Sequence, residues 1–376
     1  MRSEARVDLA AIRDNVRRLA ELAGPAQVMA VVKADGYGHG LVPAAQAAVA
    51  GGAGWLGVAF LEEALAVRAA GIDVPTLAWL WSPAEDLRPA VAAGIDLGVY
   101  STGELTAVQA AAEVTGATAR VQLKVDTGLS RGGATPGDWP DLCAAAAKAE
   151  AAGAVTVIGL WSHFAFADGG PDHPVNGRQA DVFRDAVAIA ERAGLRPEVR
   201  HLANSAATLT APASHFDLVR PGLAVYGLSP VPHLGGPAHF GLRPAMTLAS
   251  SVALTKQVPA GAGVSYLHRY VTERPTRLAL VPLGYADGVP RAATSVGQVQ
   301  LGGVRRTIAG TVCMDQFVLD VGADPVATGD EVLIFGPGDA GEPTVQEWAD
   351  LLGTINYEIV TRIGARVPRT YVGALA

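Results

Sequence analysis

"AVVKADGYGHG", residues 30–40, ends a hydrophobic strand on a lysine and then breaks into glycines. Val28, Met29, Ala30, Val31 and Val32 form the apolar run, Lys33 stands at its tip, and Gly36, Gly38 and Gly40 follow. Such a run bounded by turn residues predicts a buried strand. What the strand belongs to depends on how often the unit recurs.

It recurs eight times. Short apolar runs near 27–33, 55–59, 76–80, 95–99, 119–125, 156–163, 198–203 and 216–220 alternate with helical stretches such as 61–70, 101–114, 138–152 and 176–193. Ahead of them, Asp8 followed by Leu9, Ile12, Val16, Leu19 and Leu22 reads as an N-capped amphipathic helix. Eight parallel-type strands with intervening helices predict an α/β fold, a closed (β/α)8 barrel of the TIM type. From about residue 240 the rhythm changes. "MTLASSVALTKQV", "RLALVPLGY", "VQLGGVRRTIAGTV", "QFVLDVG" and "EVLIFG" are short strand-like runs split by Gly, Pro and Asp. They predict a C-terminal, mainly antiparallel β domain. One helix interrupts it, where Thr344 and Glu347 form a capping box before Trp348, Leu351 and Leu352. "SPVPHLGGPAH", residues 229–239, is the expected linker, so the barrel is assigned 8–232 and the β domain 240–376 together with 1–7.

Composition narrows the function classes. Of 376 residues half are hydrophobic and 17% charged, which supports a large buried core. The net charge of −7, without a long basic run, argues against nucleic acid. Cys143 and Cys313 are the two cysteines, far apart and without metal-ligand spacing, so neither a disulfide framework nor a metal site is expected and a reducing cytoplasm fits. No signal peptide or membrane-spanning run is read.

Chemistry in this barrel type sits at the C-terminal strand ends. Those ends are Lys33, Lys124, His163, Asn204 with Ser205, and Arg220. The loops after the last two strands, "ANSAAT" and "RPGLAVYG", occupy the usual phosphate position. Ser205 opens a helix and Gly222 permits close backbone approach. Taken singly, each residue has a structural alternative: a solvated lysine, a core-edge histidine, an ion-paired arginine, a helix cap. Their convergence on one rim favours pyridoxal 5′-phosphate (PLP) held by Lys33 as a Schiff base.

On these residues the chain resembles the alanine racemases. "AVVKADGYGHG", "HLANSAAT", "VRPGLAVYG", "GVSY", "PLGYADGVPR", "TVCMDQFVLDVG" and "INYEIVTRIGARVPR" follow in that family's order, from about residue 7 to 372. The resemblance implies that Lys33 binds PLP and is one catalytic base. It places Tyr37, Ser205, Gly222, Leu223 and Tyr357 at the phosphate, Arg220 at the pyridine nitrogen with His201 near it, and His163 and Asn204 along the cofactor pocket. Arg131, in "TGLSRGG", would contact the PLP phenolic oxygen and the substrate carboxylate, steadied by Lys124, which matches a lysine carbamylated in some relatives. Tyr266 matches the second base, supplied by the partner subunit of a head-to-tail homodimer. Tyr285, Arg291, Met314 and Asp315 match residues at the interface and substrate entrance, Met314 on the substrate side. The implied reaction is interconversion of L- and D-alanine, with D-alanine destined for peptidoglycan. Gly36, Ser130, Gly132 and Leu267 depart from the family's usual residues, and a racemase of broader specificity or a non-catalytic PLP barrel are the competing readings.

The chemistry explains the residue types. Racemisation takes a proton from one face of a carbon and returns one to the other, so two bases are wanted. A tyrosine's unperturbed pKa of about 10 needs lowering by nearby cations, Arg220 or a charged histidine. An arginine stays protonated and donates to the pyridine nitrogen without protonating it, which disfavours side reactions such as transamination.

Overall fold

The structure, a computed structural model, describes residues 2–374; residues 1, 375 and 376, assigned above to the β domain, lie outside the described residues. After strand β1 (Ser3–Asp8) comes the first helix, Leu9–Ala23. Asp8 caps it by accepting from the Ala11 N–H at 3.1 Å, and Ile12, Val16 and Leu19 are fully buried along one face. Burial of such side chains contributes about 1.5–3 kcal/mol each.

Eight parallel strands follow: β2 (Gln27–Val31), β3 (Trp55–Val58), β4 (Thr76–Ala78), β5 (Asp96–Val99), β6 (Ala119–Lys124), β7 (Val155–Trp161), β8 (Val199–His201) and β9 (Leu218–Val219). They lie side by side in the order β8-β7-β6-β5-β4-β3-β2-β9. The ends meet: the Asp217 N–H donates to the Arg200 carbonyl at 3.0 Å and the Arg220 N–H to that of Ala203 at 2.9 Å. The sheet is therefore a closed barrel. Helices Leu61–Ala69, Thr102–Thr115, Trp139–Ala151 and Pro174–Arg192 stand where helices were expected.

Period-two alternation divides the strands between two cores. On β6, Val121 and Leu123 join the main apolar cluster under the helices. Met29, Trp55, Leu77, Ile158, Val199 and Leu218, one from each of six strands, form a separate cluster that fills the barrel interior. Lys33, Lys124 and Arg220 continue these inward-facing rows to the rim.

The remaining strands are β10 (Met246–Ser251), β11 (Leu254–Val258), β12 (Gly263–Val264), β13 (Tyr270–Val271), β14 (Thr276–Val281), β15 (Gln298–Leu301), β16 (Val304–Thr307), β17 (Phe317–Gly322), β18 (Glu331–Phe335) and β19 (Arg369–Val372). A six-stranded sheet runs β16-β15-β18-β10-β1-β19, with only β1–β19 parallel; a three-stranded sheet runs β11-β14-β17, and β12 pairs with β13. "MTLASSVALTKQV", read above as one run, is split between the two larger sheets. The Val252 N–H donates to Asp330 in one direction and the Ala253 N–H to Leu280 in the other, so the chain changes sheets between neighbouring residues.

The capping box forms as expected: Thr344 Oγ1 accepts from the Glu347 N–H at 3.1 Å and the Glu347 carboxylate from the Thr344 N–H at 2.6 Å. It starts helix Val345–Leu352, and a second helix, Asn356–Thr361, was not anticipated. The 229–239 segment is a packed connection, with Val231 fully buried and the Ser229 carbonyl accepting from Asn356 Nδ2 at 2.8 Å. No described helix is long and apolar enough to cross a membrane, and no cluster of metal-ligand side chains occurs among the described residues.

Candidate active site

Lys33 leads into a left-handed turn. Ala34, Asp35, Gly36 and Tyr37 all have positive φ, between 52° and 60°. Each non-glycine residue there costs about 1–2 kcal/mol, so the turn must be held from outside. The Glu63 carboxylate accepts from the Ala34 N–H at 2.6 Å and from the Ala59 N–H at 2.9 Å, tying the lysine turn to the end of β3. Asp35 Oδ1 accepts from the Leu41 N–H at 2.8 Å. His39 Nδ1 donates to the Gly36 and Tyr37 carbonyls, each at 3.0 Å, while burial pulls its imidazole down to about 4 and keeps it neutral. Asp35 and His39 are thus local supports of the turn.

The turn delivers Tyr37 to the loops after β8 and β9. A Cβ on Gly222 would lie 2.3 Å from the Tyr37 hydroxyl, so only glycine fits under that ring. Ser205 Oγ accepts from the Gly222 N–H at 2.8 Å and the Ala224 N–H at 3.3 Å, and Asn204 Oδ1 caps the short helix behind it through the Ala207 N–H at 3.1 Å. Tyr357 arrives from helix Asn356–Thr361, its ring 6.3 Å from that of Tyr37. Burial raises both phenols far above their ordinary value, so they remain donors. Leu223 completes this end of the cavity.

At the other end Arg220 is 5% exposed. Its guanidinium donates to His201 Nδ1 at 2.8 Å, to the Ser162 carbonyl at 2.7 Å and to His163 Nδ1 at 3.2 Å. Burial lowers it to about 9, still protonated at neutral pH. Burial and the adjacent Arg220 hold His163 and His201 well below the usual histidine range. This corrects the expectation of a charged histidine: both rings are neutral, and the positive charge beside the site is Arg220. Lys124 Nζ sits 4.8 Å from the Trp161 ring centroid and 5.1 Å from that of Tyr100, and burial with Arg131 and Arg220 pulls it down to about 8. Burial lowers the Lys33 ammonium as well, with Arg131 adding to the effect and Glu63 opposing it.

These groups line one cavity of about 660 Å³, which holds Lys33, Tyr37, Lys124, Arg131, His163, Asn204, Ser205, Arg220, Gly222, Leu223 and Tyr357. His201 lies directly behind Arg220. Sequence reasoning missed the aromatic wall of Trp79, Tyr100 and Trp161, and also Asp168. The three aromatics end or follow β4, β5 and β7, so the strand-tip rule that found Lys33 applies to them equally.

Tyr266, Tyr285, Arg291, Met314 and Asp315 are not in this cavity. They belong to neighbouring loops of the β domain. The Tyr266 carbonyl accepts from Thr311 Oγ1 at 2.8 Å, Ser265 Oγ lies 3.2 Å from Cys313 Sγ, and the Ala286 N–H donates to Met314 at 2.9 Å. Asp315 pairs with Arg366 at 2.7 Å, and Arg291, itself exposed, begins a short turn whose last residue, Ala293, is buried. Tyr266 is 70% exposed and Met314 52%.

PLP presents a phosphate, a reactive aldehyde and a pyridine nitrogen. Lys33, Lys124, Arg131 and Arg220 line the cavity, and none makes an ion pair among the described residues. That excess of cation, with phenolic and backbone donors at one end and a buried guanidinium at the other, fits an anionic pyridine cofactor. Such a barrel rim defines a PLP enzyme of the barrel class. The family model for the alanine racemase N-terminal domain matches residues 7–230, and that for the C-terminal domain matches 245–371. An alanine racemase of Frankia casuarinae is 65% identical over 372 residues, spanning 99% of this chain and 97% of that protein. Alanine racemase from D-cycloserine producing Streptomyces lavendulae has a crystal structure similar at TM-score 0.98 and 56% identity, covering 100% of this chain and 98% of that one. Alanine racemase from Streptomyces coelicolor A3(2) gives 0.97 and 58%, with 99% and 98% covered. The chain belongs to the alanine racemase family, a family of PLP-dependent isomerases.

Proposed function

We propose that this chain interconverts L- and D-alanine with Lys33 as one base and Tyr266 of the partner subunit as the other. The observation that carries it is Arg220, an arginine where an acid would otherwise pair with the pyridine nitrogen, in the same cavity as Lys33. Bound PLP supplies the electron sink that makes the substrate α-proton removable. Tyr37, Ser205, Tyr357 and the backbone at Gly222 and Leu223 hold its phosphate, with His163 and Asn204 along the pocket. Arg220 donates to the pyridine nitrogen and keeps its own proton. Arg131 binds the substrate carboxylate beside Lys124, and Met314 of the partner subunit, brought in with Tyr266, borders the substrate. Lys33, with its pKa drawn down by burial, takes or returns a proton on one face of the substrate carbon.

Tyr285, Arg291 and Asp315 support the entrance on the β-domain surface, where the two subunits of a head-to-tail dimer would meet. The barrel unit is placed at 8–232 and the β unit at 240–376 with 1–7. A role in peptidoglycan precursor supply within the cytoplasm accords with a D-alanine product and with a chain that has only two, unpaired cysteines. The test is chiral chromatography of PLP-loaded protein incubated with L-alanine. D-alanine should accumulate, and Lys33→Ala should abolish it. Failure to form D-alanine with PLP bound would overturn the substrate assignment.

A further inference from the structure

Inside the barrel runs a line of polar groups that the chemistry above does not use. Alternation on β6 puts Arg120, Gln122 and Lys124 on the inward face, and Asp96 on β5 lies against them. Arg120 Nε is 2.5 Å from Asp96 Oδ1, and Gln122 Nε2 donates to Asp96 Oδ2 at 2.7 Å. Gln122 Oε1 is 2.7 Å from His201 Nε2, and His201 Nδ1 is 2.8 Å from the Arg220 guanidinium. Asp96, Gln122 and His201 are each 0% exposed. Barrel interiors of this type are mostly filled by branched aliphatic side chains, and buried polar groups are tolerated when every one is partnered. The strand beside them makes room. A Cβ on Gly159 of β7 would lie 2.9 Å from Gln122 Oε1.

Hydrogen-bond chemistry allows this line one direction. A guanidinium only donates, so His201 Nδ1 accepts and its proton sits on Nε2. That N–H donates to Gln122 Oε1, which turns the amide NH2 toward Asp96. Asp96 then accepts from both Gln122 and Arg120, one on each carboxyl oxygen. Burial holds its carboxyl above the ordinary range, an effect that Arg120 and Gln122 only partly offset.

We infer that Asp96, acting through Gln122 and His201, sets the orientation of the Arg220 guanidinium, making Asp96 and Gln122 positioning residues for the reaction. This rests on the reading of Arg220 as the group facing the pyridine nitrogen. Without a carboxylate at 96 the Gln122 amide is free to flip. A flipped amide offers NH2 to His201, reverses the imidazole tautomer and sets an N–H against the guanidinium.

The experiment is 15N–1H correlation NMR of the holoenzyme labelled at histidine nitrogens, with His201→Gln identifying the resonance. Wild-type protein should show His201 neutral and protonated on Nε2. Asp96→Asn should give the other tautomer or a mixture, with kcat reduced roughly tenfold and KM little changed. Gln122→Met, an apolar side chain of similar length, breaks the next link and should lower kcat similarly; it serves if Asp96→Asn fails to fold, which circular dichroism reports. An unchanged Nε2–H tautomer in Asp96→Asn overturns the inference, as does full kcat with a reversed tautomer or full kcat in Gln122→Met, where the guanidinium still holds the proton on Nε2. If wild-type protein racemises nothing, the reading of the reaction falls, while the tautomer comparison still decides the relay from Asp96 to His201.

Discussion

Lys124 is buried at the tip of β6 with Arg131 and Arg220 as charged neighbours and the rings of Tyr100 and Trp161 as its facing surfaces. Its pKa is about 8 in the folded chain, against about 10.4 for an unfolded lysine. Below pH 8 both states are protonated and the folded state carries the full penalty of a buried, unpaired cation. Between about 8 and 10.4 the unfolded chain binds more protons than the folded one, so stability rises with pH across that window. Lys124→Met should therefore stabilise the PLP-free protein at pH 7. The gain should be about 1–3 kcal/mol, after allowing for the lost contact with the two aromatic faces. Urea unfolding at pH 7 and pH 10 checks both parts: the variant should gain most at pH 7 and lose the rise toward pH 10. A variant less stable than wild type at pH 7 would mean the aromatic contacts outweigh the desolvation.

At the scale of elements, the left-handed turn and the β9 loop work as one clamp. Gly222 has φ of −110°, ordinary for any residue, so what glycine provides there is clearance for Tyr37. Gly222→Ala should push the Tyr37 hydroxyl out of the phosphate end and weaken PLP binding, by roughly tenfold or more for the loss of a charge-assisted hydrogen bond. Equilibrium dialysis measures it, with circular dichroism expected unchanged; undiminished affinity would remove Tyr37 from the phosphate contacts. Strand tips were legible because eight apolar runs each end at a definite residue, and inward-facing cations such as Lys33, Lys124 and Arg220 break the apolar pattern. The handedness of "KADGY" was not legible. Only one of its four positive-φ residues is glycine, and the turn is held by Glu63 and His39 from outside it. Helix Asn356–Thr361, which carries Tyr357, is six residues long, too short to show a helical period. Trp79, Tyr100 and Trp161 were hidden for the opposite reason: an aromatic at a strand end looks like core. The change of sheet at Val252 was equally invisible, since both halves of 246–258 are strand-like on their own.

The whole molecule leaves one part of the proposed chemistry outside its own barrel. Tyr266, Leu267, Met314 and Tyr285 stand exposed together on the β domain, 70%, 76%, 52% and 42% accessible, and none lines the cavity that holds Lys33. Large apolar side chains clustered on a surface mark a place of contact. A two-fold, head-to-tail pairing would cover them and carry each Tyr266 to the other barrel, giving two shared sites per dimer. Spacing along one sequence cannot reveal this, because a residue that serves a second subunit has no partner within its own chain. Mixing mutant subunits decides it. Lys33→Ala and Tyr266→Phe homodimers should each be nearly inactive, since every site lacks one base. In a heterodimer purified through two different tags, shared sites would leave one site with both substitutions and the other with none, restoring about half of wild-type activity. If both bases came from the same chain, each site of the heterodimer would still lack one, and activity would stay at the level of the parents. The restored half would therefore assign Tyr266 to the opposite subunit and make the dimer a requirement of the chemistry, since a monomer would lack the second base.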